Sequence, residues 1–350
     1  MNKIRLAVIF GGNSTEYGVS LQSAYSVLKN LKTDRYDVLP IGITREGEWY
    51  RYTGRYENIN SDSWFSDSEN LNRIFFSPDR TSGGFIEVAN GSLEKLETDL
   101  VFPVLHGKNG EDGTVQGMLE LAGIPFVGCD TLSSALCMDK DRAHKLVAAA
   151  GIEVPKSEVF CEENRGEAPQ TVLRDFSLPL FVKPVRAGSS FGISRITDFS
   201  ELEGAVDEAF SHDSEVIVEE NIDGFEVGCA VMGINALTVG RVDEIELSEG
   251  FFDFTEKYTL RSSRIHMPAR IDEAKEKQIQ ETAKTIYRAL GCSGFARVDM
   301  FLTPSGSIVF NEVNTIPGFT SHSRYPNMMK GIGMSFPRML DRLIGLYVKK

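Results

Sequence analysis

The sequence RVDMFLTPSGSIVFNEVN occupies residues 297–314 and carries the most specific pattern in the chain. Two apolar runs flank a Pro-Ser-Gly turn, which predicts a β-hairpin. A two-residue turn at 305–306 sets the register so that Asp299 lies directly opposite Glu312. Asn314 comes two residues after Glu312 and therefore shares its face of the sheet.

Two carboxylates opposed in this way repel each other, because directly opposite side chains lie ~5 Å apart at Cβ. A hard divalent cation relieves that repulsion, and Mg²⁺ prefers the oxygens that Asp299, Glu312 and Asn314 supply. Arg297 points to the same face and adds an anion-binding group. A solvated acidic face is the ordinary alternative, but the apolar residues between these groups predict at least one buried face. The hairpin therefore predicts a magnesium site that faces substrate phosphates.

Length and composition predict a soluble protein of two or three domains. The 350 residues are 41% hydrophobic and 25% charged, and 50 acidic against 37 basic residues give a net charge of −13. Such a charge disfavours nucleic-acid binding. No apolar run approaches the ~18 residues of a membrane span, and the start of the chain does not resemble a signal peptide. Five scattered cysteines without a CxxC motif are typical of a reducing compartment, so we expect a cytoplasmic protein.

Periodicity divides the chain into three predicted domains: an N-terminal α/β domain (1–134), a middle domain (135–225) and a C-terminal α+β domain (226–350). In the first, strands over 4–10, 38–43 and 100–107 alternate with helices over 19–31 and 111–123, which favours a parallel sheet. Between these, the region to about residue 95 is polar, with scattered aromatic residues. In the second domain, 178–184 with 191–196, and 215–220 with 226–233, have the pattern of paired strands. The aperiodic, aromatic segment 243–267 predicts a lid or binding loop, and a helix over 272–291 precedes the hairpin.

The sequence FVKPVRAGSSFG, residues 181–192, predicts a phosphate-binding loop. Lys183 ends an apolar strand, and the small residues after it let backbone N–H groups approach phosphate oxygens. By itself the pattern is weak, because many hairpins contain Gly and Ser. Neither a Walker A loop nor a GxGxxG fingerprint is present. Lys140, in MDKDR, is equally compatible with an ordinary surface lysine.

Taken together, these motifs resemble the D-alanine:D-alanine ligases, a family with the ATP-grasp fold. GGNSTE (11–16), LHGKNGEDG (105–113), MDK (138–140), FVKP-x-RAGSS (181–190), EKY (256–258), ARVDMF (296–301) and NEVNTIPGFTSHS (311–323) occur in the family's order along nearly the whole chain. The resemblance implies a Rossmann-like N-terminal domain followed by a two-lobed ATP-grasp fold. It also implies ATP-dependent joining of two D-amino acids through an acylphosphate.

The resemblance implies a role for each matching residue. The magnesium ligands, for two Mg²⁺ or possibly Mn²⁺ ions, are Asp299, Glu312 and Asn314. The ATP-binding residues are Lys140, Lys183 and Lys257 for the phosphates, and Glu219, Ile222 and Glu226 for adenine and ribose. The catalytic set is Glu16, Ser189 and Tyr258, with Arg297 and the N–H of Gly318 at the oxyanion. His106 lies by the first substrate, and Ser323 binds the second substrate's carboxylate.

Three of these residues also have ordinary explanations. Glu16 could serve the start of the first helix, where the helix dipole favours acids. His106 could cap a loop, and Tyr258 could be a half-buried aromatic residue.

Three positions depart from the usual D-alanine:D-alanine pattern. Ala187 replaces a glutamate in the phosphate loop, which we interpret as tolerated variation. Phe252 replaces a tyrosine and Arg324 an aliphatic residue, as in the D-alanine:D-serine ligases of vancomycin resistance (the VanG-like and VanC-like group). In a D-alanine pocket, Arg324 would be left with unmet donors, which favours a hydroxyl-bearing second substrate. The retained Tyr258 disfavours D-lactate.

The predicted function is therefore a D-alanine:D-serine ligase that makes peptidoglycan precursors. A D-alanine:D-alanine ligase, a D-alanine:D-lactate ligase or another ATP-grasp carboxylate–amine ligase are the alternatives. A catalytically inactive nucleotide-binding protein is disfavoured by the intact metal set. The expected partners are small molecules and a second copy of the chain in a homodimer.

Overall fold

The computed structural model describes residues 3–89, 91–188, 191–247 and 263–348. The strands are β1 (Ile4–Gly11), β2 (Tyr36–Ile43), β3 (Trp49–Tyr52), β4 (Leu71–Phe76), β5 (Phe85–Ala89), β6 (Ser92–Lys95), β7 (Leu100–Pro103), β8 (Ser157–Cys161), β9 (Leu180–Pro184), β10 (Ser194–Ile196), β11 (Glu215–Glu220), β12 (Phe225–Gly233), β13 (Thr238–Leu247), β14 (Ser263–His266), β15 (Gly294–Leu302) and β16 (Ile308–Asn314). The helices are α1 (Tyr17–Asn30), α2 (Tyr56–Asn60), α3 (Thr114–Ala122), α4 (Thr131–Met138), α5 (Lys140–Ala149), α6 (Ala168–Asp175), α7 (Leu202–Phe210), α8 (Glu273–Ala289), α9 (Arg324–Gly331) and α10 (Phe336–Gly345).

Within the described residues, seven strands form the first sheet, in the order β6-β5-β4-β3-β2-β1-β7. β1 runs parallel to β2 and to β7, which confirms the predicted parallel α/β centre. Residues 6–11 of β1 are all buried, as expected for a strand covered on both faces. Helix α1 follows β1 and begins two residues before its predicted start.

Strands β3 to β6 were not predicted. They pair antiparallel and extend the first sheet on the β2 side. All four residues of β6 are exposed, and β3 and β4 each have a single buried residue. Strands so weakly buried need no alternation of apolar and polar residues, which is why the sequence gives little sign of them.

The other two sheets of the described residues have the orders β10-β9-β11-β8 and β14-β13-β12-β15-β16, and all their pairs are antiparallel. The predicted pairing of 178–184 with 191–196 is confirmed as β9 with β10. The predicted pairing of 215–220 with 226–233 is wrong, because β11 lies in the second sheet and β12 in the third. Gly224, at φ +135°, takes the chain from one sheet to the other.

The predicted lid segment 243–267 is regular at both ends, where β13 pairs with β14. The middle of that segment, residues 248–262, lies outside the described residues. The strands of the three sheets fall at 4–103, 157–220 and 225–314. These ranges are compatible with domain boundaries at 134 and 225, which stay predictions.

One hydrophobic core joins the first sheet to the C-terminal helices. It contains Phe10 and Leu21 together with Phe319, Met328 and Leu343. The chain after β16 is therefore packed against β1 and α1, and this packing brings distant motifs to one site. Among the described helices, none combines the length and the apolar character needed to cross a bilayer.

Candidate active site

Two neighbouring cavities share part of their wall. The larger, of about 580 Å³, is lined by residues of α1, the loop after β7, β16 and the segment 315–324. The smaller, of about 430 Å³, is lined mainly by residues of β9, β11, β12 and β13. Lys140 and Glu312 line both cavities. A ligand that spans the junction would therefore meet one cation and one carboxylate at its centre.

The predicted register of the β15–β16 hairpin is confirmed. Asp299 pairs with Glu312, and Arg297 pairs with Asn314. The four side chains that the sequence singled out therefore occupy two cross-strand pairs on one face of the sheet, with the Val298–Val313 pair between them. Arg297, Glu312 and Asn314 line the larger cavity, and Glu312 lines the smaller one as well.

The predicted two-residue turn is wrong, although the register is right. Thr303 N donates to Ser307 O at 3.0 Å, so the turn contains three residues, with Gly306 at φ +86°. A three-residue turn that ends in a left-handed glycine is a common hairpin connection. A register shift between Asp299 and Met300 compensates for the extra turn residue. The extra residue in the turn and the register shift thus compensate for each other, and Asp299 stays opposite Glu312.

Asp299 lies at the centre of a buried charged cluster. Arg297 Nε donates to its two oxygens at 2.9 and 3.0 Å, and Arg297 Nη2 donates at 2.8 Å. Asn314 Nδ2 donates to the same carboxylate at 2.9 Å. These carboxylate and amide groups, with Glu312, form a hard oxygen donor set that fits Mg²⁺. Among the described residues, no three His, Cys, Asp or Glu side chains form a metal-binding group.

Glu16 lies against two glycines at the wall of the larger cavity. A Cβ at Gly107 would lie 2.3 Å from Glu16 Oε2, and a Cβ at Gly188 would lie 3.3 Å from it. The carboxyl group therefore reaches the cavity only because both residues lack side chains. Ser14 Oγ accepts from Glu16 N at 3.1 Å and donates to His106 O at 2.8 Å. Glu16 makes no side-chain hydrogen bond that caps α1, and both its substrate role and its favourable place at the helix dipole stay predictions.

His106 lines the same cavity, but both of its ring nitrogens lie within hydrogen-bond distance of other protein groups. Nδ1 lies 2.8 Å from Ile316 O and Nε2 lies 3.1 Å from Ser23 Oγ. Burial lowers the pKa of His106, so the ring is neutral, with Nδ1–H donating to the carbonyl. The predicted substrate contact of His106 stays a prediction, and its observed bonds are structural.

Gly318 and Ser323 lie together at the other side of the larger cavity. A Cβ at Gly318 would lie 2.9 Å from Ser323 Oγ. Ser323 Oγ accepts from Thr320 N at 3.0 Å and lies 2.8 Å from Thr320 Oγ1. Arg297 lines this cavity as well. The two groups predicted for the oxyanion and the serine predicted for the second carboxylate thus share one cavity.

The smaller cavity brings together the predicted nucleotide residues. Lys183 Nζ forms an ion pair of 2.5 Å with Glu219 Oε2. Burial by itself would raise the pKa of Glu219, but the charges of Lys183 and His144 outweigh it and lower that pKa. Ile222 and Glu226 line the same cavity. An apolar side chain beside acidic and basic groups is an arrangement that suits a nucleotide.

Lys140 is held at the junction of the two cavities. Asp139 caps α5 by accepting from Arg142 N at 2.9 Å, which fixes Lys140 at the first position of that helix. Lys140 Nζ donates to Ala187 O at 2.7 Å. The lysine is almost fully buried, so the surface alternative is wrong.

Arg324 is buried and paired, which overturns the argument from unmet donors. Its Nε and Nη2 each donate at 2.8 Å to one oxygen of Asp243, and Nη1 donates to Glu226 at 2.7 Å. Nη2 also lies 3.4 Å from Asp299. A guanidinium with three carboxylate partners does not need a substrate hydroxyl. Arg324 nevertheless lines the larger cavity, as predicted.

Four predicted site residues lie outside the described residues: Ser189, Phe252, Lys257 and Tyr258. Their predicted roles stay predictions.

The structure adds residues that sequence reasoning missed. Asp243 is completely buried and binds Arg324 from β13. Glu111 lines the larger cavity. It belongs to the motif LHGKNGEDG, but no role was predicted for it. Gly228 lies opposite Asp243 on one side and Asp299 on the other. An acidic residue and a glycine in paired apolar strands are the only sequence signals for this group.

Two family profiles match the chain, one described as D-ala D-ala ligase N-terminus over residues 5–129 and one as D-ala D-ala ligase C-terminus over residues 146–345. The crystal structure of VanG D-Ala:D-Ser ligase from Enterococcus faecalis superposes with a TM-score of 0.93 at 67% identity, covering 99% of this chain and 100% of that one. The vancomycin C-type resistance protein VanC1 of Enterococcus gallinarum is 44% identical over 98% of both chains. A D-alanine–D-alanine ligase of Caldicellulosiruptor bescii is 43% identical over 100% of this chain and 96% of the relative.

Proposed function

Because the chain belongs to the D-alanine:D-alanine ligase family and is an ATP-dependent ligase, we propose that it joins D-alanine to D-serine. The observation that supports D-serine is the 67% identity, over the full chain, to a VanG D-Ala:D-Ser ligase. The 43% identical D-alanine–D-alanine ligase supports D-alanine as the alternative second substrate. The dipeptide would enter cell-wall precursors, as the vancomycin-resistance names of several relatives suggest.

The first step of the proposed reaction activates the carboxylate of D-alanine. ATP lies in the smaller cavity, with its phosphates at the junction formed by Lys140 and Lys183. The ammonium of D-alanine binds Glu16, which holds the substrate carboxylate toward that junction. A carboxylate oxygen of D-alanine bonds to the γ-phosphorus of ATP while the bond from that phosphorus to ADP breaks. The products are D-alanyl phosphate and ADP. Both lysines offset the negative charge that this transfer concentrates.

The second step joins the two substrates in the larger cavity. The amine of D-serine attacks the acyl carbon, phosphate departs with the activated oxygen, and the amine loses a proton. Arg297 and the N–H of Gly318, which both line this cavity, would stabilise the tetrahedral oxyanion. Ser323 would bind the carboxylate of D-serine, and Arg324, braced by Asp243, would form the wall beside its hydroxymethyl group.

Magnesium fits the hairpin by the chemistry of its donors. Asp299, Glu312 and Asn314 would hold two Mg²⁺ ions, or Mn²⁺, together with ATP oxygens. The metal neutralises charge on the phosphates when it is bound. Glu312 reaches both cavities, so its carboxylate would connect the nucleotide to the reacting carboxylate.

A phosphate-release assay tests the proposed reaction. With D-alanine and MgATP, D-serine as second substrate should give a higher kcat/KM than D-alanine, and D-lactate and L-amino acids should give little. This expectation rests on the 67% identity to the VanG D-Ala:D-Ser ligase, because carboxylates of the protein already occupy the donors of Arg324. Preference for D-alanine would overturn the D-serine assignment alone. No phosphate release with any D-amino acid pair would overturn the ligase.

The metal assignment has its own variant. Glu312→Gln should fold normally and lower kcat by roughly a hundredfold or more, because it removes a charged oxygen that would hold Mg²⁺ beside the transferring phosphoryl group. Glu281→Gln, on the exposed side of α8, is the control and should leave kcat unchanged. Wild-type turnover in Glu312→Gln would contradict the assignment.

A homodimer and a cytoplasmic location complete the proposal. ATP and free amino acids are cytoplasmic substrates, which supports that location. Light scattering at micromolar concentration tests the dimer, and a mass of one chain would contradict it.

A further inference from the structure

The side chain of Glu111 bridges two backbone segments that lie far apart in sequence. Oε2 accepts from Gly107 N at 2.9 Å, and Oε1 accepts from Ile316 N at 2.9 Å. Gly107 belongs to the loop that covers Glu16, whereas Ile316 lies two residues before Gly318. One carboxyl group thus ties the first-substrate side of the larger cavity to its oxyanion side.

A second set of bonds holds the same peptide. His106 Nδ1–H donates to Ile316 O at 2.8 Å, so both polar groups of the Ile316 backbone are bound. Ser23 Oγ accepts from Phe319 N at 3.2 Å and lies 3.1 Å from His106 Nε2. The 315–319 loop is therefore held on both sides of Gly318 by residues of the N-terminal third of the chain.

Burial makes this position an unfavourable one for a carboxyl group. Burial and the nearby charge of Glu16 raise the pKa of Glu111 to about 8, whereas its two N–H donors and Arg297 act in the opposite direction. The position therefore disfavours a charged carboxylate, and the two backbone bonds are the feature of Glu111 that a glutamine, with one acceptor oxygen, cannot reproduce.

We propose that Glu111 is a positioning residue, which fixes the N–H of Gly318 relative to the first substrate by bonding Gly107 and Ile316 at once. The inference rests on the proposed function, because it assigns the N–H of Gly318 to the oxyanion. A displacement of that N–H weakens the transition state more than the ground state, so its effect belongs in kcat. ATP binds in the other cavity and should not sense the change.

Glu111→Gln is the test. The amide can accept from only one of the two N–H groups, since its nitrogen has no lone pair to offer the other. We expect kcat with D-alanine and D-serine to fall at least tenfold, while the Kd of MgATP and the melting temperature stay close to those of the wild type. Glu120→Gln is the matched control: Glu120 also accepts a backbone N–H, from Thr131 at 3.2 Å, but lines neither cavity. Its kcat should stay within twofold of the wild type.

The outcomes separate the inference from the proposed function. An active wild type with kcat in Glu111→Gln within twofold of it would overturn the positioning role alone. A fall in kcat accompanied by an equal loss of MgATP affinity and a much lower melting temperature would show a merely structural role. If Glu111→Gln does not fold, Glu111→Asp, which is too short to reach both N–H groups, takes its place with the same expected fall in kcat. An inactive wild type would overturn the proposed function itself.

Discussion

At the scale of single residues, the site depends on buried charges that are paired by other residues of the chain. Arg324 is the clearest case, because its guanidinium is held by Asp243 and Glu226 inside the protein. Removing one partner of a buried pair leaves the other charge without compensation, which costs far more than the pair contributes when intact. Such residues shape the cavity wall and stabilise the fold at the same time.

The Arg324–Asp243 pair gives the first prediction at this scale. Arg324→Met should lower the free energy of unfolding by ~3–5 kcal/mol, because it leaves the completely buried Asp243 without its counter-ion. The double variant with Asp243→Leu should lose less than the sum of the two single variants. Chemical denaturation of the three proteins measures this coupling. Additive losses would mean that the two side chains do not stabilise each other.

An exposed ion pair is the control for the Arg324 and Asp243 variants. Lys29 and Glu57 lie 3.1 Å apart with about half of each side chain exposed. Lys29→Met should leave the free energy of unfolding close to that of the wild type, since solvent screens such pairs.

His144 gives a pH-dependent prediction. Burial lowers its pKa, and neither its Nδ1 nor Glu219 Oε1, 3.9 Å away, has a hydrogen-bond partner among the described residues. The unfolded chain therefore takes up a proton near pH ~6.5 that the folded protein resists, so stability is lost as the pH falls below that value. His144→Gln should reduce the slope of the free energy of unfolding against pH, below that value, by up to ~1.4 kcal/mol per pH unit.

Denaturation midpoints between pH 8 and pH 5 measure this slope. The exposed His212 is the control, and His212→Gln should leave the slope of the wild type unchanged. An unchanged slope in His144→Gln would contradict the prediction.

At the scale of elements, three strands of the third sheet and helix α9 position the buried charges around Arg324. Gly228 on β12 pairs with Asp243 on β13 and with Asp299 on β15. Without a side chain, Gly228 leaves a gap in the middle strand that the guanidinium of Arg324 fills from α9. The helix can therefore place one cation between acids on two different strands.

Gly228→Ala tests this arrangement. A Cβ at that position would lie 2.3 Å from Arg324 Nη2 and 2.7 Å from Asp243 Oδ1, so the ion pair must move. We expect the free energy of unfolding to fall by ~1–3 kcal/mol and the preference for D-serine to weaken. Thermal denaturation and the ratio of catalytic efficiencies are the two measurements.

Gly204→Ala is the matched control and should raise the free energy of unfolding rather than lower it. Gly204 lies in α7, and a Cβ there would meet no atom within 4 Å. Alanine is the better helix former, so this variant should gain ~0.5–1 kcal/mol. A loss of stability in Gly204→Ala comparable to that in Gly228→Ala would contradict the steric explanation.

At the scale of the whole molecule, the two cavities form one site because Lys140 and Glu312 belong to both. These two residues come from different parts of the chain, α5 and β16. The hydrophobic core packs α1, which lines the larger cavity, against the C-terminal helices. Binding in one cavity should therefore depend on charges that also face the other.

MgATP should stabilise the whole protein through this junction. At a concentration 100 times its Kd, a ligand raises the free energy of unfolding by ~2.7 kcal/mol. Thermal unfolding with ATP should show a smaller gain when Mg²⁺ is removed. In Glu312→Gln, the gain with MgATP should approach that of ATP alone, whereas Glu281→Gln should respond as the wild type does. An equal gain in Glu312→Gln and wild type would place the metal elsewhere.

The amino-acid sequence by itself determined the features that rest on local order. The alternation of strands with helices predicted the parallel centre of the first sheet, and apolar residues at helical spacing predicted α1. The hairpin pattern predicted the Asp299–Glu312 pair. Local geometry limits such features, because strand pairing across a short turn leaves few possible registers. At the hairpin the predicted pair was right although the turn was not, because a register shift compensated for the extra turn residue. The order of the motifs predicted the family, which the profile matches confirm.

Tertiary structure alone decided the contacts between distant segments. Nothing near Arg324 in sequence indicates Asp243, which lies 81 residues away, and nothing near Glu111 indicates Ile316, 205 residues away. Sequence periodicity tells whether a residue is buried, but a buried charge finds its partner only when sheets and helices pack. For the same reason the separate sheets of β11 and β12 were mistaken for a hairpin, since a short turn that changes sheets has the same pattern as one that reverses a strand.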